Sequence, residues 1–180
     1  MEAGWFILYK VIYLDRDGVI NKKAREHDYI KCWEEFEFLP GALEALKILH
    51  ESNYKIVLIT NQRGIARKIM TVKSLEDIHN KMCQKIAESQ GRVDGIYYCP
   101  HDYGECNCRK PDIGLFLESE KKYMPDKKKS WMIGDSSSDI KAGKAFGVNT
   151  IYIGTDNLYH ADYSCDTLLT AAKYITEKGE

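Results

Sequence analysis

No apolar run of about 18 residues occurs anywhere in the 180-residue chain, so no segment has the composition and length of a helix that crosses a bilayer. Charge of one sign is not in excess either. Lysines and arginines number 26 against 27 aspartates and glutamates, a net charge of -1. Such a chain projects no long-range field that gathers nucleic acid or an anionic membrane, and an anionic ligand has to be held by charges placed locally. The opening MEAGWFILYKVIYLD lacks a basic leader and a small-residue cleavage site; it reads as a strand, and the chain is expected in the cytoplasm. Repeats, low-complexity segments and linkers are also missing. A single domain over 1–180, expected to be a monomer, can bury about two thirds of its unfolded surface at this length.

What is present alternates. Apolar runs rich in β-branched and aromatic residues at 6 to 14 (FILYKVIYL), 55 to 60 (KIVLIT), 93 to 98 (VDGIYY), 130 to 134 (SWMIG) and 148 to 153 (VNTIYI) predict five strands. Helical patterns lie between and after them, at 41 to 52, 74 to 90, about 112 to 124, 139 to 147 closing on Gly147, and 166 to 178. Strands that alternate with helices predict an α/β fold, because each parallel crossover needs a helix to carry the chain back. In such sheets ligands bind beyond the carboxyl ends of the strands. The run Lys127, Lys128, Lys129 reads as a solvated loop.

Polar residues gather at those strand ends. The first strand runs out through Leu14-Asp15-Arg16-Asp17-Gly18, the second through Ile59-Thr60-Asn61-Gln62-Arg63-Gly64, and the fourth through Ile133-Gly134-Asp135-Ser136-Ser137-Ser138-Asp139. Each alone reads as a loop with ordinary turn and cap residues. Together with Lys110 beyond the third strand they bring acids, a hydroxyl and a cation to one crevice. The chemistry that suits this set is phosphoryl transfer. An Asp15 carboxylate approaching a phosphate dianion meets a repulsion of about 4 kcal/mol per charge pair at about 4 Å and an effective dielectric near 20. Magnesium on Asp15, Asp135 and the backbone carbonyl of Asp17, with Lys110 opposite, would offset it. Asp15 can then take the phosphoryl group as an aspartyl phosphate, while Asp17 protonates the departing alcohol and later deprotonates the attacking water. A phospho-receiver or zinc-dependent interaction domain, which keeps its phosphoryl group, is the alternative of a different class; such a receiver has no need of an acid two residues after its acceptor.

Six cysteines accompany no secretory signal, and three of them crowd into CPHDYGECNCRKP, residues 99 to 111. Cys99, His101, Cys106 and Cys108 follow a C-x-H-x4-C-x-C spacing that supplies three thiolates and an imidazole, a closed tetrahedral set for structural zinc. Arg109 and Lys110 follow the last ligand directly, so a metal-locked backbone would aim both at the phosphate.

LDRDGVIN, Thr60, Lys110 and GDSSSD, in that order on those strands, resemble the haloacid dehalogenase superfamily of phosphohydrolases over residues from about 10 to 175. The resemblance implies a three-layer Rossmann-like fold with a sheet ordered 5-4-1-2-3. It also implies Asp15 as nucleophile, Asp17 as acid and base, Thr60 and Lys110 as phosphate stabilisers, and magnesium on Asp15, Asp17 and Asp135 with Asp139 assisting. Many members carry an inserted cap domain. Here the intervals, 45 positions from Asp15 to Thr60 and 50 from Thr60 to Lys110, leave no room for one. The walls are then expected from the loop of residues 22 to 38, with His27, Asp28 and Tyr29, and from the zinc loop. Asn61, Gln62, Arg63 and Arg109 are expected to touch substrate, Arg63 either holding a second phosphate or facing solvent.

A zinc loop in a capless member is similar to two families, the D-glycero-D-manno-heptose 1,7-bisphosphate 7-phosphatases and the histidinol-phosphate phosphatases. TNQRGIAR at 60 to 67 and GIYYCPH at 95 to 101 favour the first. Only four residues separate His101 from Cys106, and NKKAREHDY is long for that family. Both departures touch the substrate walls.

Overall fold

In the computed structural model, residues 7–26, 28–157 and 159–178 are described. The sheet has six parallel strands: β1 (Val11–Leu14), β2 (Lys55–Asn61), β3 (Gly95–Cys99), β4 (Trp131–Gly134), β5 (Asn149–Ile153) and β6 (Tyr163–Cys165), in the order β3-β2-β1-β4-β5-β6. Four helices among the described residues carry crossovers, α1 (Ala42–Glu51), α2 (Val72–Glu88), α3 (Gly114–Tyr123) and α4 (Ser137–Phe146), and α5 (Leu168–Lys178) follows the last strand.

Period-two alternation sends successive side chains of a strand to opposite faces, and in β1 and β2 both faces are buried. Ile12, Leu14, Ile56 and Leu58 pack with α1, α2 and α5 through residues such as Leu46, Ile78 and Ala172. Val11, Tyr13, Val57 and Ile59 pack the other way, against Leu115 and Phe116 of α3 and Phe146 of α4. Burial on both sides explains why these strands read as unbroken apolar runs. The three layers hold β1 at the centre, and its carboxyl end delivers Asp15.

The five-strand order expected from the resemblance is present, with one strand added. β6 pairs with β5 through Ile151–Tyr163, Tyr152–Ser164 and Ile153–Cys165; three residues at a sheet edge leave too short an apolar pattern to read. The expected first strand began at residue 6, outside the described residues, whereas β1 begins at Val11 and only Tyr9 precedes it with an isolated bridge to Pro125. α2 starts earlier than predicted because Thr71 caps it: its Oγ1 accepts from Ser74 N at 3.0 Å and Ser74 Oγ accepts from Thr71 N at 3.0 Å. That reciprocal box places Ser74 inside the first turn. Between β1 and β2 the described residues form a loop, a 3-10 turn at Trp33–Glu35 and α1; between β2 and β3 they form a further loop and α2.

Candidate active site

A cavity of about 330 Å³ opens at the carboxyl ends of the central strands, floored by Asp15, Thr60, Lys110, Asp135 and Asp139. The segments that carry these residues are distant in sequence, and the parallel sheet brings them together. Lys110 sits at the middle of the floor, 3 % exposed. Its Nζ lies 2.9 Å from Asp15 Oδ1 and 2.6 Å from Asp139 Oδ1, and donates to the Ile59 carbonyl at 2.5 Å. The backbone of Lys110 is held as firmly: Asn61 Nδ2 donates to its carbonyl at 3.1 Å, and its N–H donates to Asn61 Oδ1 at 3.0 Å. Asn61, expected to touch substrate, thus spends its amide on aiming the lysine.

Burial drives the Asp15 carboxyl up to about 7 and the Asp139 charge adds to this, while Lys110 pulls the other way. A carboxyl under that pressure is one that a further cation would relieve. Asp15, Asp135 and Asp139 bring one oxygen each to within 4.8 Å of one another. Asp135 Oδ1 is buried and has no hydrogen-bond partner among the described residues, and an all-oxygen donor set suits magnesium. Two glycines make the approach possible. A Cβ on Gly18, whose φ is +90°, would stand 1.8 Å from Asp135 Oδ2, and one on Gly134 would stand 2.2 Å from Asp139 Cβ. Asp139 also closes the first turn of α4, its Oδ2 accepting from Ser136 N at 3.0 Å and Ser136 Oγ at 2.6 Å. One carboxylate therefore caps the helix with one oxygen and faces Lys110 with the other.

Asp17 points elsewhere. Its carboxylate accepts from Arg16 Nη2 at 2.9 and 2.8 Å, from Asn21 Nδ2 at 2.9 Å and from Gln62 Nε2 at 3.0 Å. Burial alone would raise its pKa, but Arg16 and the amide donors outweigh burial and hold it below the ordinary carboxylate range. Its side chain is absent from the trio of acids, which leaves only its backbone carbonyl for the metal role expected of it. Gln62 also donates to Thr60 Oγ1 at 3.0 Å, leaving the hydroxyl proton of Thr60 to donate into the cavity. Behind Asp17, Arg16 is fully buried and its Nη1 lies 3.3 Å from His79 Nε2 on α2. Burial and the Arg16 charge bring His79 down to about 3, so the ring is neutral and accepts. Arg16, Asn21 and His79 escaped the sequence reading; an arginine between two aspartates was the available signal.

The four candidate zinc ligands Cys99, His101, Cys106 and Cys108 lie together in one group that could hold a metal ion. Cys99 Sγ lies 3.5 Å from Cys106 Sγ and 3.7 Å from His101 Nδ1, and Cys108 Sγ lies 3.2 Å from Cys106 Sγ and 3.4 Å from His101 Nδ1. A disulfide would need sulfurs about 2 Å apart, and all six cysteines are free thiols. Tetrahedral zinc with Zn–S near 2.3 Å has edges of about 3.7 Å, which these four atoms approach. Burial opposes it, but hydrogen bonds from Cys108 and Cys99 bring Cys106 down to about 7, toward the thiolate that a metal takes.

A family model described as polynucleotide kinase 3 phosphatase matches residues 10–174. The chain belongs to this family of haloacid dehalogenase-type phosphatases. It is a phosphoric monoester hydrolase. A D-glycero-beta-D-manno-heptose-1,7-bisphosphate 7-phosphatase of Haemophilus ducreyi is 38 % identical over 179 residues, covering 95 % of this chain and 88 % of its own. One of the same description from Pasteurella multocida is 35 % identical, covering 92 % and 96 %. The crystal structure of D,D-heptose 1,7-bisphosphate phosphatase from B. bronchiseptica, complexed with magnesium and phosphate, superposes with a TM-score of 0.87 at 32 % identity and covers 94 % of this chain and 99 % of the other.

The phosphatase's outer walls differ in character. On the zinc-loop side, the exposed Tyr103 ring carries the guanidinium of Arg63 at 4.2 Å and that of Arg109 at 4.4 Å. Arg63 Nε also meets Asp102 Oδ1 at 2.5 Å, so Arg63 is engaged on the loop and does not extend into solvent. Arg109 Nε and Nη1 are buried and have no hydrogen-bond partner among the described residues. On the opposite side Asp28 pairs with Lys31 at 2.8 Å and accepts from Tyr29 N at 2.8 Å, while Lys23 reaches Asp135. His27 lies outside the described residues. No described helix is long and apolar enough to cross a membrane.

Proposed function

We propose that this phosphatase is a magnesium-dependent phosphomonoesterase that works through an aspartyl phosphate on Asp15, with the 7-phosphate of D-glycero-D-manno-heptose 1,7-bisphosphate as the group removed. The observation that carries the reading is the crevice in which Asp15, Asp135 and Asp139 converge beside a locked Lys110. The relative complexed with magnesium and phosphate supports the cation and the ligand class, and the descriptions of the curated relatives support the sugar. The family description names a polynucleotide, but a net charge of -1 favours a small substrate over a polyanion that needs many phosphate contacts.

Asp15, Asp135, Asp139 and the Asp17 carbonyl would hold the ion, which supplies positive charge to the phosphoryl oxygens and to the attacking carboxylate. Asp15 attacks phosphorus while Lys110 and the Thr60 hydroxyl hold the equatorial oxygens. Asp17 enters ionised, the form that takes a proton from water in the second half-reaction. For the first it must acquire a proton, and the phosphate dianion arriving beside it raises its affinity for one. With no cap between the motifs, a second handle on the substrate has to be met by the walls. Arg109, with two buried N–H-bearing nitrogens unspent, and Arg63 beside it supply the charge for a second phosphate. Zinc on Cys99, His101, Cys106 and Cys108 fixes the loop that carries Arg109. The free thiols suit a reducing cytoplasm, where the enzyme would act as a monomer.

Phosphate release measured on heptose 1,7-bisphosphate, histidinol phosphate and a panel of sugar monophosphates tests the substrate. Preference for the bisphosphate by kcat/KM is the expected result; preference for histidinol phosphate would move the assignment to that family, and no release from any substrate would favour the phospho-receiver reading.

A further inference from the structure

Lys22 and Lys23 are neighbours with different fates. Lys22 turns outward to Glu37 at 2.5 Å. Lys23 turns inward, its Nζ 2.6 Å from Asp135 Oδ2, with the Lys23 side chain 52 % exposed and that of Asp135 12 % exposed. Its stem lies across the loop of the first motif, since a Cβ on Gly18 would meet Lys23 Cε at 2.6 Å. We propose that Lys23 is the resident counter-ion of the divalent-cation site, holding Asp135 until magnesium takes that carboxylate and then turning to the substrate phosphate.

The charges argue for this exchange. Asp15, Asp135 and Asp139 together carry three negative charges when ionised, and Lys110 answers one of them. Without a divalent ion, Lys23 reduces the remainder to a single charge. Once magnesium binds, the acids, Lys110 and the ion sum to zero, and the Lys23 charge is left without a partner until a phosphate dianion arrives. The two ammonium groups are built for different tasks. Lys110 is gripped at its backbone by Asn61 and enclosed, so it stays in place through the reaction. Lys23 is a half-exposed side chain on a loop that lines the same cavity and can change partners by rotating its own side-chain bonds. This inference rests on the magnesium reading above, and its test separates the two.

Magnesium is titrated calorimetrically into zinc-loaded, magnesium-free wild type, Lys23→Met, Lys23→Gln and Asp135→Asn without substrate, each first shown to be folded by circular dichroism. Both Lys23 variants should bind magnesium roughly threefold to fivefold more tightly, the factor that losing one half-exposed ion pair allows. Their KM for the phosphorylated substrate at saturating magnesium should rise while kcat falls less. Magnesium affinity equal to wild type in both Lys23 variants, with binding lost in Asp135→Asn, overturns the role of Lys23 and leaves the magnesium site standing. Absence of binding in wild type, or equal binding in Asp135→Asn, overturns the magnesium reading and the inference with it.

Discussion

The two candidate metal sites are assembled by opposite means. The zinc set takes all four ligands from residues 99 to 108, an irregular loop whose only regular anchor among the ligands is Cys99 at the end of β3. The acid trio takes its members from the ends of β1 and β4 and the first turn of α4, and the sheet holds them together against their mutual repulsion with Lys110 among them. On the proposed reading the soft site would need its ion to hold its shape, while the hard site has its shape from the sheet and would need an ion for its chemistry. Removing a ligand from each should separate shape from chemistry.

Asp15→Asn gives the largest effect. It should lower kcat by about 10⁴-fold or more, the scale seen when a nucleophile is removed, with the circular dichroism spectrum unchanged. Near-normal phosphate release from the purified variant would remove Asp15 from the mechanism.

Cys106→Ala addresses the other site. Zinc per chain should fall, and the melting temperature should drop by about 5 to 10 °C, the shift that a loss of about 2 to 3 kcal/mol produces in a chain of this size. Substrate affinity should weaken because Arg109 and Lys110 follow Cys108, while magnesium affinity should hold. Active wild-type enzyme with under about a tenth of a zinc per chain would break the comparison, because the loop would then keep its shape unaided.

The same contrast decides what could be read from the sequence. The gathering of Cys99, His101, Cys106 and Cys108 was legible there because spacing within one loop is a local property. The acids at the strand ends were legible as separate signals, and their meeting followed from the rule that parallel strands present their carboxyl ends together. Partner choice within the site was not legible. Asn61 and Gln62 were expected at the substrate; Asn61 lines the cavity and also clamps Lys110, and Gln62 links Asp17 to Thr60, because which way an amide points depends on neighbours distant in sequence. Lys23 and Lys22 look alike in the sequence and diverge in the fold. β6 escaped because three residues, Tyr-Ser-Cys, are too few to show an alternation, and its pairing depends on β5 being already in place.

The hard site also has interior support, and pH exposes it. His79 is 6 % exposed, and burial with the Arg16 charge lowers it to about 3 against 6.5 for the free side chain. The unfolded chain therefore binds a proton that the folded chain refuses between about pH 6.5 and 3. Stability is present above the unfolded value and falls as pH drops through that window. His79→Gln keeps an acceptor for Arg16 without the titration. Between pH 7 and 5 wild type should lose about 2 kcal/mol relative to this variant, read from urea midpoints at the two pH values. Parallel loss in both proteins would mean that the protonated ring is accommodated beside Arg16.

Tyr103→Ala probes the surface support of the soft side, where the effect should be smallest. The ring carries Arg63 and Arg109, and an exposed cation–π contact contributes about 0.5 to 1 kcal/mol. Removing it leaves Arg63 tied only to Asp102 and Arg109 without its ring, so KM for a bisphosphate should rise about threefold with kcat unchanged, because the reacting phosphate stays with Lys110 and Thr60. A monophosphate, which has no second charge for the arginines to hold, should show no change in KM. An equal rise for both substrates would place the ring's influence on the phosphate that reacts, and would tie the zinc loop to the chemistry through Lys110 instead of through the far end of the substrate.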